Sequence, residues 1–214
     1  MPRARSSLLA AAALLVAAAL LTGSILIGVD DGPFPIDRAW QDLLVTLRGP
    51  AVLWFAFAMD VIGGGWSAIL VVPIGVAVLL VLLRRPWAAA YFLVAEVVSV
   101  GLIQVLKHLV GRARPEDILV LSDFGSFPSG HVANAATIAT ALFVIFPRVW
   151  TAVAGAAWVI LMAFSRTYLG AHWLSDTVGG ALVGAAAALL AAAAFAKPLR
   201  AETIRKEAVD KVAE

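Results

Sequence analysis

The chain of 214 residues carries three histidines, and each falls in a short polar cluster at an end of a long apolar run. The first cluster, positions 107–115, holds Lys107, His108, Arg112, Arg114 and Pro115; the second is Pro128-Ser129-Gly130-His131; the third, positions 165–176, holds Ser165, Arg166, His172 and Asp176. Three cations, two usable imidazoles, an aspartate and a helix start are the parts needed to bind a phosphate and attack its phosphorus. His172 and Asp176 are four apart at the start of a helical run, so they share a face. A carboxylate accepting from one ring nitrogen fixes the tautomer that leaves the other free as a nucleophile. Arg166 stands six residues earlier, across a turn at Gly170. Pro128-Ser129-Gly130-His131 reads as a helix N-terminus, with Ser129 as its cap and Gly130 allowing close backbone approach. Free N–H groups there would receive an anion. Lys107 and Arg114 are seven apart, close to two turns, and share a face if the helix continues that far. Arg112 projects elsewhere and reads as a cation snorkelling to the headgroups. Each cluster alone also has a plain reading: a capped helix, snorkelling cations, a satisfied histidine. The case for chemistry is their convergence.

Convergence depends on the elements between the clusters. Apolar residues make up 62% of the chain, far above a soluble globule, so this is a membrane protein. A bilayer admits helices or a closed barrel, and long unbroken apolar runs exclude the barrel. The expected architecture is all-α: an integral-membrane six-transmembrane-helix bundle forming a single domain over residues 1–214, with a motif core at 107–176 and a charged cytoplasmic tail at 197–214. The absence of cysteine rules out disulfides, iron–sulfur clusters and thiolate zinc sites. Basic residues are scattered at helix ends, which argues against a nucleic-acid partner.

The expected spans are 8–29, 66–83 with a kink at Pro73, 87–109, 129–146, 149–165 and 172–196. The first is too long for a signal-peptide core and is read as retained. Residues 30–48 are polar, with an amphipathic surface segment carrying Ile36, Trp40, Leu43, Leu44 and Leu47 at helical spacing. The run 50–62 is short for a span and fits a re-entrant or interfacial piece. With the N-terminus inside, Arg3, Arg5, Arg84, Arg85, Arg148, Lys197, Arg200, Arg205, Lys206 and Lys211 are cytoplasmic, ten of the 16 Lys and Arg. Both termini are then cytoplasmic and all three clusters share the outer face. Beneath them, Glu96, Ser99 and Lys107 fall near one helical face, as a polar seam or around a structural glutamate. Gly180-x-x-x-Gly184 is a close-packing motif for the bundle or for a dimer. Residues 118–127 would guide a lipid tail, cover the site, or serve as an ordinary interfacial loop. The tail alternates charges and reads as a solvated helix, and His108 as packing or interfacial.

The patterns Lys-x6-Arg-Pro, Pro-Ser-Gly-His and Ser-Arg-x5-His-x3-Asp resemble those of the type 2 phosphatidic acid phosphatase superfamily, which also includes the vanadium haloperoxidases. All eleven specified positions match: Lys107, Arg114, Pro115, Pro128, Ser129, Gly130, His131, Ser165, Arg166, His172 and Asp176. The resemblance implies that Lys107, Arg114 and Arg166 bind phosphate oxygens, helped by the Ser129 hydroxyl and the Gly130 N–H. It implies that His172 attacks phosphorus to give a phosphohistidine with Asp176 holding its tautomer, that His131 protonates the leaving oxygen, and that no metal or other cofactor takes part. The expected function is a cell-membrane lipid phosphatase acting on phosphatidic acid, phosphatidylglycerol phosphate or undecaprenyl diphosphate. Its expected partners are that lipid substrate and the bilayer; its oligomeric state is left open. A phosphotransferase using the same intermediate, and a non-enzymatic lipid-binding or transport protein, are the alternatives.

Overall fold

A computed structural model describes residues 2–28 and 32–213; the expected end of the first span at Val29, the start of the polar segment at Asp30 and the side chains of Arg3 and Lys211 lie outside the described residues. The helices are α1 (Pro2–Gly28), α2 (Pro35–Thr46), α3 (Pro50–Gly63), a π-helical stretch (Ser67–Val71), α4 (Val72–Leu82), α5 (Pro86–Val110), α6 (Gly130–Ile145), α7 (Val149–Tyr168) and α8 (Leu174–Ala213). No strand occurs among the described residues. Pro35, Pro50 and Pro86 open α2, α3 and α5, where the missing N–H is no loss and the fixed φ suits the first turn.

Four stretches are long and apolar enough to cross a bilayer: Arg5–Gly28, Pro86–Val110, Val149–Tyr168 and Leu174–Ala208. The pair Pro50–Gly63 and Ser67–Leu82, bent by 51°, adds a fifth if it counts as one broken span, and α6 is apolar but shorter. The protein is therefore multi-pass. The bend is not at Pro73. It falls at the Gly63-Gly64-Gly65 break, where Gly65 adopts φ +52°, and the helix ahead of Pro73 widens into π geometry instead of kinking there. The third expected span matches α5 closely. α7 continues to Tyr168, whereas α8 starts two residues after His172 and passes through Pro198 to Ala213. The tail is thus no purely solvated helix. Glu202 is buried and accepts the N–H groups of Trp87 (2.7 Å) and Ala88 (3.3 Å), two donors that a helix N-terminus leaves without intrahelical partners.

α8 is the central post of the bundle, packed against α1, α5, α6 and α7. Lipid offers apolar helices no hydrophobic reason to associate, so close backbone approach must hold them. Gly180 and Gly184 provide it: a Cβ at either would collide with the Ser129 or Ala133 carbonyl oxygen of the α6 segment. The motif therefore packs within the bundle. Gly184→Val is expected to force α6 and α8 apart and to lower the thermal unfolding midpoint in detergent, at a cost on the order of 1–3 kcal/mol. Gly101→Val is the control, because nothing lies within 4 Å of its added Cβ.

At one end of the bundle, α2 lies across the 111–129 loop and the α7–α8 turn. Gln41 donates to the Asp117 carboxylate (3.0 Å), Arg48 pairs with Asp117 at 2.5 Å, and the Tyr168 hydroxyl accepts the Gly49 N–H (2.8 Å). Ile36, Leu43 and Leu47 face outward, while Leu44 is buried with Ala56, Tyr168 and Leu169. This brace fixes the two segments from which most of the site is built.

Candidate active site

The three clusters meet around one cavity of about 240 Å³. Lys107, Arg114, Gly130, His131, Arg166 and His172 line it, and Ser129 and Asp176 are fully buried.

Helix α5 stops at Gly111, whose φ of +65° makes it a left-handed C-cap donating its N–H to the Lys107 carbonyl (2.9 Å). Lys107 and Arg114 therefore do not share a helical face. One points from the last turn of α5 and the other from the loop beyond. They converge all the same: Lys107 Nζ lies 2.9 Å and Arg114 Nη2 2.8 Å from the same Asp123 oxygen, and both donate to the Gly125 carbonyl at 2.8 Å. Burial pushes the Asp123 carboxyl up, but Lys107 and Arg114 outweigh it and hold the group below the ordinary carboxylate range.

His172 sits in the α7–α8 turn, not on a helix. Its Nδ1 is 2.8 Å from the Ser126 carbonyl oxygen and 3.7 Å from Asp176 Oδ2, so the direct histidine–aspartate hydrogen bond expected from their spacing is replaced by a backbone one. A carbonyl can only accept. Nδ1 therefore carries the hydrogen, and Nε2 keeps a lone pair directed at Arg114 Nη1, 3.3 Å away. Burial, reinforced by Arg114 and Arg166 against the pull of Asp176, drives the His172 pKa down to about 3.

Asp176 acts from behind. It accepts from Arg112 Nη1 (2.5 Å), the Trp173 N–H (2.8 Å) and the Ser126 hydroxyl, fixing the segment that presents the Ser126 carbonyl to His172. Arg112 is no snorkelling cation. Its side chain is fully buried, with Nη2 on Asp37 at 2.8 Å and Nη1 also on the Ser175 hydroxyl at 2.8 Å. Asp37 in turn accepts from the Ser175 N–H (2.8 Å) and hydroxyl (2.7 Å). Sequence reasoning missed Asp37 and misread Arg112, since no spacing ties position 37 to position 176.

On the opposite wall, Arg166 and His131 share a partner. Asp60 of α3 makes a short contact with Arg166 Nη1, and the same oxygen is 3.2 Å from His131 Nε2. Asp60 was also missed, although it is the one charge inside an apolar helix, a signal that usually marks function. Gly64 leaves room for the ring, because a Cβ there would stand 2.5 Å from His131 Nε2. Ser129 occupies the N-cap position of α6 without making a capping bond, and its buried hydroxyl has no hydrogen-bond partner.

The expected seam does not reach Lys107. Glu96 instead accepts from Asn134 (3.3 Å) and Ser99 meets Thr137 (2.8 Å), joining α5 to α6. His108 bonds its own helix at the Gln104 carbonyl (2.8 Å) and packs on Phe124, as a residue outside the motifs would. In the loop, Leu121 and Phe124 are exposed and Phe127 is buried. Among the described residues, no three or more His, Cys, Asp or Glu gather as metal ligands.

Comparison with known proteins follows the same residues. The family model described as the PAP2 superfamily matches residues 88–200. The lipid A 1-phosphatase of Rhizobium johnstonii is 35% identical over 122 residues, covering 52% of this chain and 49% of that protein. The undecaprenyl-diphosphatase of Sulfolobus acidocaldarius is 28% identical over 116 residues, covering 50% of this chain and 55% of that one. The chain thus spans about half the length of these curated relatives. In fold it is similar to the crystal structure of a transmembrane PAP2 type phosphatidylglycerolphosphate phosphatase from Bacillus subtilis, with a TM-score of 0.73 and 23% identity over 84% of this chain and 93% of that one. The family match runs from the start of α5 into the last part of α8 and takes in all three polar clusters, so the chain belongs to the PAP2 superfamily.

Proposed function

We propose that this protein is an integral-membrane lipid phosphatase that works through a phosphohistidine without a metal. The observation that carries the reading is His172 Nε2, holding a lone pair in a cavity walled by Lys107, Arg114 and Arg166. These cations, with the Gly130 N–H and the unpartnered Ser129 hydroxyl, would hold the phosphate oxygens. Nε2 attacks phosphorus as the bond to the leaving oxygen breaks, and His131 delivers a proton to that oxygen. Water then attacks the phosphohistidine, giving a proton back to His131 and releasing phosphate. Asp176 keeps the nucleophile in place through Ser126 and Arg112. Three aimed cations stabilise the charge that magnesium stabilises in other phosphoryl transfers.

The cavity is lined by Gly65 at the bend and by Ile103 and Gln104 on α5, beside the exposed apolar side chains of Trp66, Ile69, Val100 and Val105. That setting suits a phosphate carried on an apolar tail, approaching from the bilayer. The relatives and structural neighbour are named for lipid A, undecaprenyl diphosphate and phosphatidylglycerolphosphate; with phosphatidic acid these form the substrate panel.

On this reading α6 also crosses the membrane, as the fourth of six spans in a single-domain bundle whose motif core is 107–176 and whose tail is 197–214. Arg85 reaches the Ile145 carbonyl (3.0 Å) and Lys206 the Leu83 carbonyl (3.5 Å), so the basic turns and the tail share the end away from the site. Positive charge favours the cytoplasmic side, which supports both termini inside and the site on the outer face of the cell membrane.

The test is inorganic phosphate release by the purified protein from the four lipids in detergent micelles containing a chelator. Release in chelator is the expected outcome. A strict magnesium requirement would refute the mechanism, and transfer of the phosphate to an added alcohol in preference to water would make the protein a phosphotransferase.

A further inference from the structure

Asp60 belongs to none of the three motifs, yet it stands where two motif residues meet. Its Oδ1 accepts from Arg166 and lies 3.2 Å from His131 Nε2, with the Nε2 off the direction of a good hydrogen bond. We infer that Asp60 is a positioning residue for proton delivery: its carboxylate holds the His131 ring at the cavity wall and supplies the counter-charge for the ring while it carries the proton meant for the leaving oxygen. This rests on the phosphatase reading above.

The surroundings of His131 show why such a group is needed. Helix α3 and the bend after it bring Asp60, Gly63 and Gly64; α7 brings Met162 and Arg166; across the cavity stand Lys107 from α5, Arg114 and Asp123 from the loop, and His172 from the α7–α8 turn. Three of these groups are cations, and a proton donor among cations needs an anion beside it. Asp123 is engaged by Lys107 and Arg114. Asp60 is the carboxylate at contact distance. Its imperfect alignment also matters, because a ring locked to Asp60 would not be free to turn its N–H to an oxygen in the cavity. The packing of α3 along α7 places it there, from Gly49 at the Tyr168 hydroxyl to Gly63 beside Met162, with Asp60 at Arg166 between them.

An alternative role, in which Asp60 only holds Arg166 against the phosphate, predicts different kinetics. An alkyl leaving group needs protonation; a nitrophenolate does not. Asp60→Asn should lower the rate of phosphoenzyme formation from phosphatidic acid, the step in which the leaving oxygen takes its proton, roughly 10²–10³-fold, the range for loss of general acid catalysis. Phosphoenzyme formation from p-nitrophenyl phosphate should slow less than about tenfold, whereas hydrolysis of the common phosphohistidine, which also uses His131, should slow equally whichever substrate formed it. His131→Ala should show the same leaving-group selectivity, and the double variant should be little worse than His131→Ala alone. Activity on the aryl ester also certifies that the variant is folded. Equal losses in phosphoenzyme formation from both substrates, including complete loss on both, or a raised KM with the rate of that step retained, would overturn the inference. A wild-type protein that releases phosphate from neither substrate would fail the phosphatase reading, and this inference with it.

Discussion

His172→Ala is expected to remove phosphate release altogether, a loss of at least about 10⁴-fold in kcat, because a nucleophile that forms a covalent intermediate has no substitute. The other ring in the cavity, His131, is turned toward Asp60, and the remaining polar side chains, the cations with Asp123, Gln104 and Ser122, offer no activated nucleophile. The same residue makes a prediction about pH. Burial, with Arg114 and Arg166 adding to it, holds the His172 pKa at about 3 instead of the ordinary 6.5. The nucleophile is thus unprotonated throughout the range from about pH 7 to 5, where a solvent-exposed imidazole would lose most of its free base. Phosphoenzyme formation, followed by rapid mixing and an alkaline quench to preserve the acid-labile phosphohistidine, should not slow as the pH falls across that range. A rate falling about tenfold per pH unit below 6.5 would show a solvated ring and contradict the structure. Stability follows the same sign. The unfolded chain binds the proton more readily, so the stability associated with a neutral His172 is fully present above pH 6.5 and is lost as pH falls toward 3.

Arg112→Ala should be the most damaging change outside the motifs. Arg112 is the cation between Asp37 and Asp176, both fully buried, and truncating it leaves two carboxylates with no counter-charge between them. Breaking a buried ion network from one side costs about 3–5 kcal/mol. The variant should unfold far below wild type in detergent, and whatever folds should release phosphate slowly, because Asp176 no longer steadies Ser126 and Ser126 orients His172. Arg112→Lys keeps the charge but lacks the fork that reaches both acids, and should fall between. Arg38→Ala, on an exposed position of α2, is the matched control and should be near neutral. An Arg112→Ala protein with wild-type melting and activity would show that the bridge does not support the site.

The residues that point into the cavity were legible in the amino-acid sequence, because each motif confines its chemistry to a few adjacent positions at a helix end. Lys107, Arg114, Arg166, His131 and His172 line one cavity, as the expected convergence of helix ends requires. The residues that hold them were not legible. Asp60, Asp123, Asp37 and Arg112 act through contacts across 16 to 106 positions, and helical spacing carries no trace of such pairs. Local backbone decisions mattered as much. A left-handed Gly111 ends α5 four residues after Lys107, which turns Arg112 inward and delivers Arg114 from a loop. The start of α8 at Leu174 leaves His172 in a turn, so the periodic argument that linked it to Asp176 found the right neighbour but the wrong bond. The bend at Gly64 is likewise a glycine effect, and a proline further on drew attention away from it.

The Asp123 carboxylate between Lys107 and Arg114 makes the loop a tethered rival for any phosphate bound there. A rival attached by a short flexible segment acts at an effective concentration of about millimolar, whatever the solution holds. On the proposed reading, a lipid phosphate confined to the membrane has its own local enrichment to set against that carboxylate. Inorganic phosphate set free by hydrolysis has lost its anchor and meets the same rival as a dilute solute. On the proposed reading the loop lowers the apparent affinity of substrate and product by the same factor, and the membrane-anchored substrate alone makes up the loss through its local enrichment, so a site with three cations does not stay filled with phosphate.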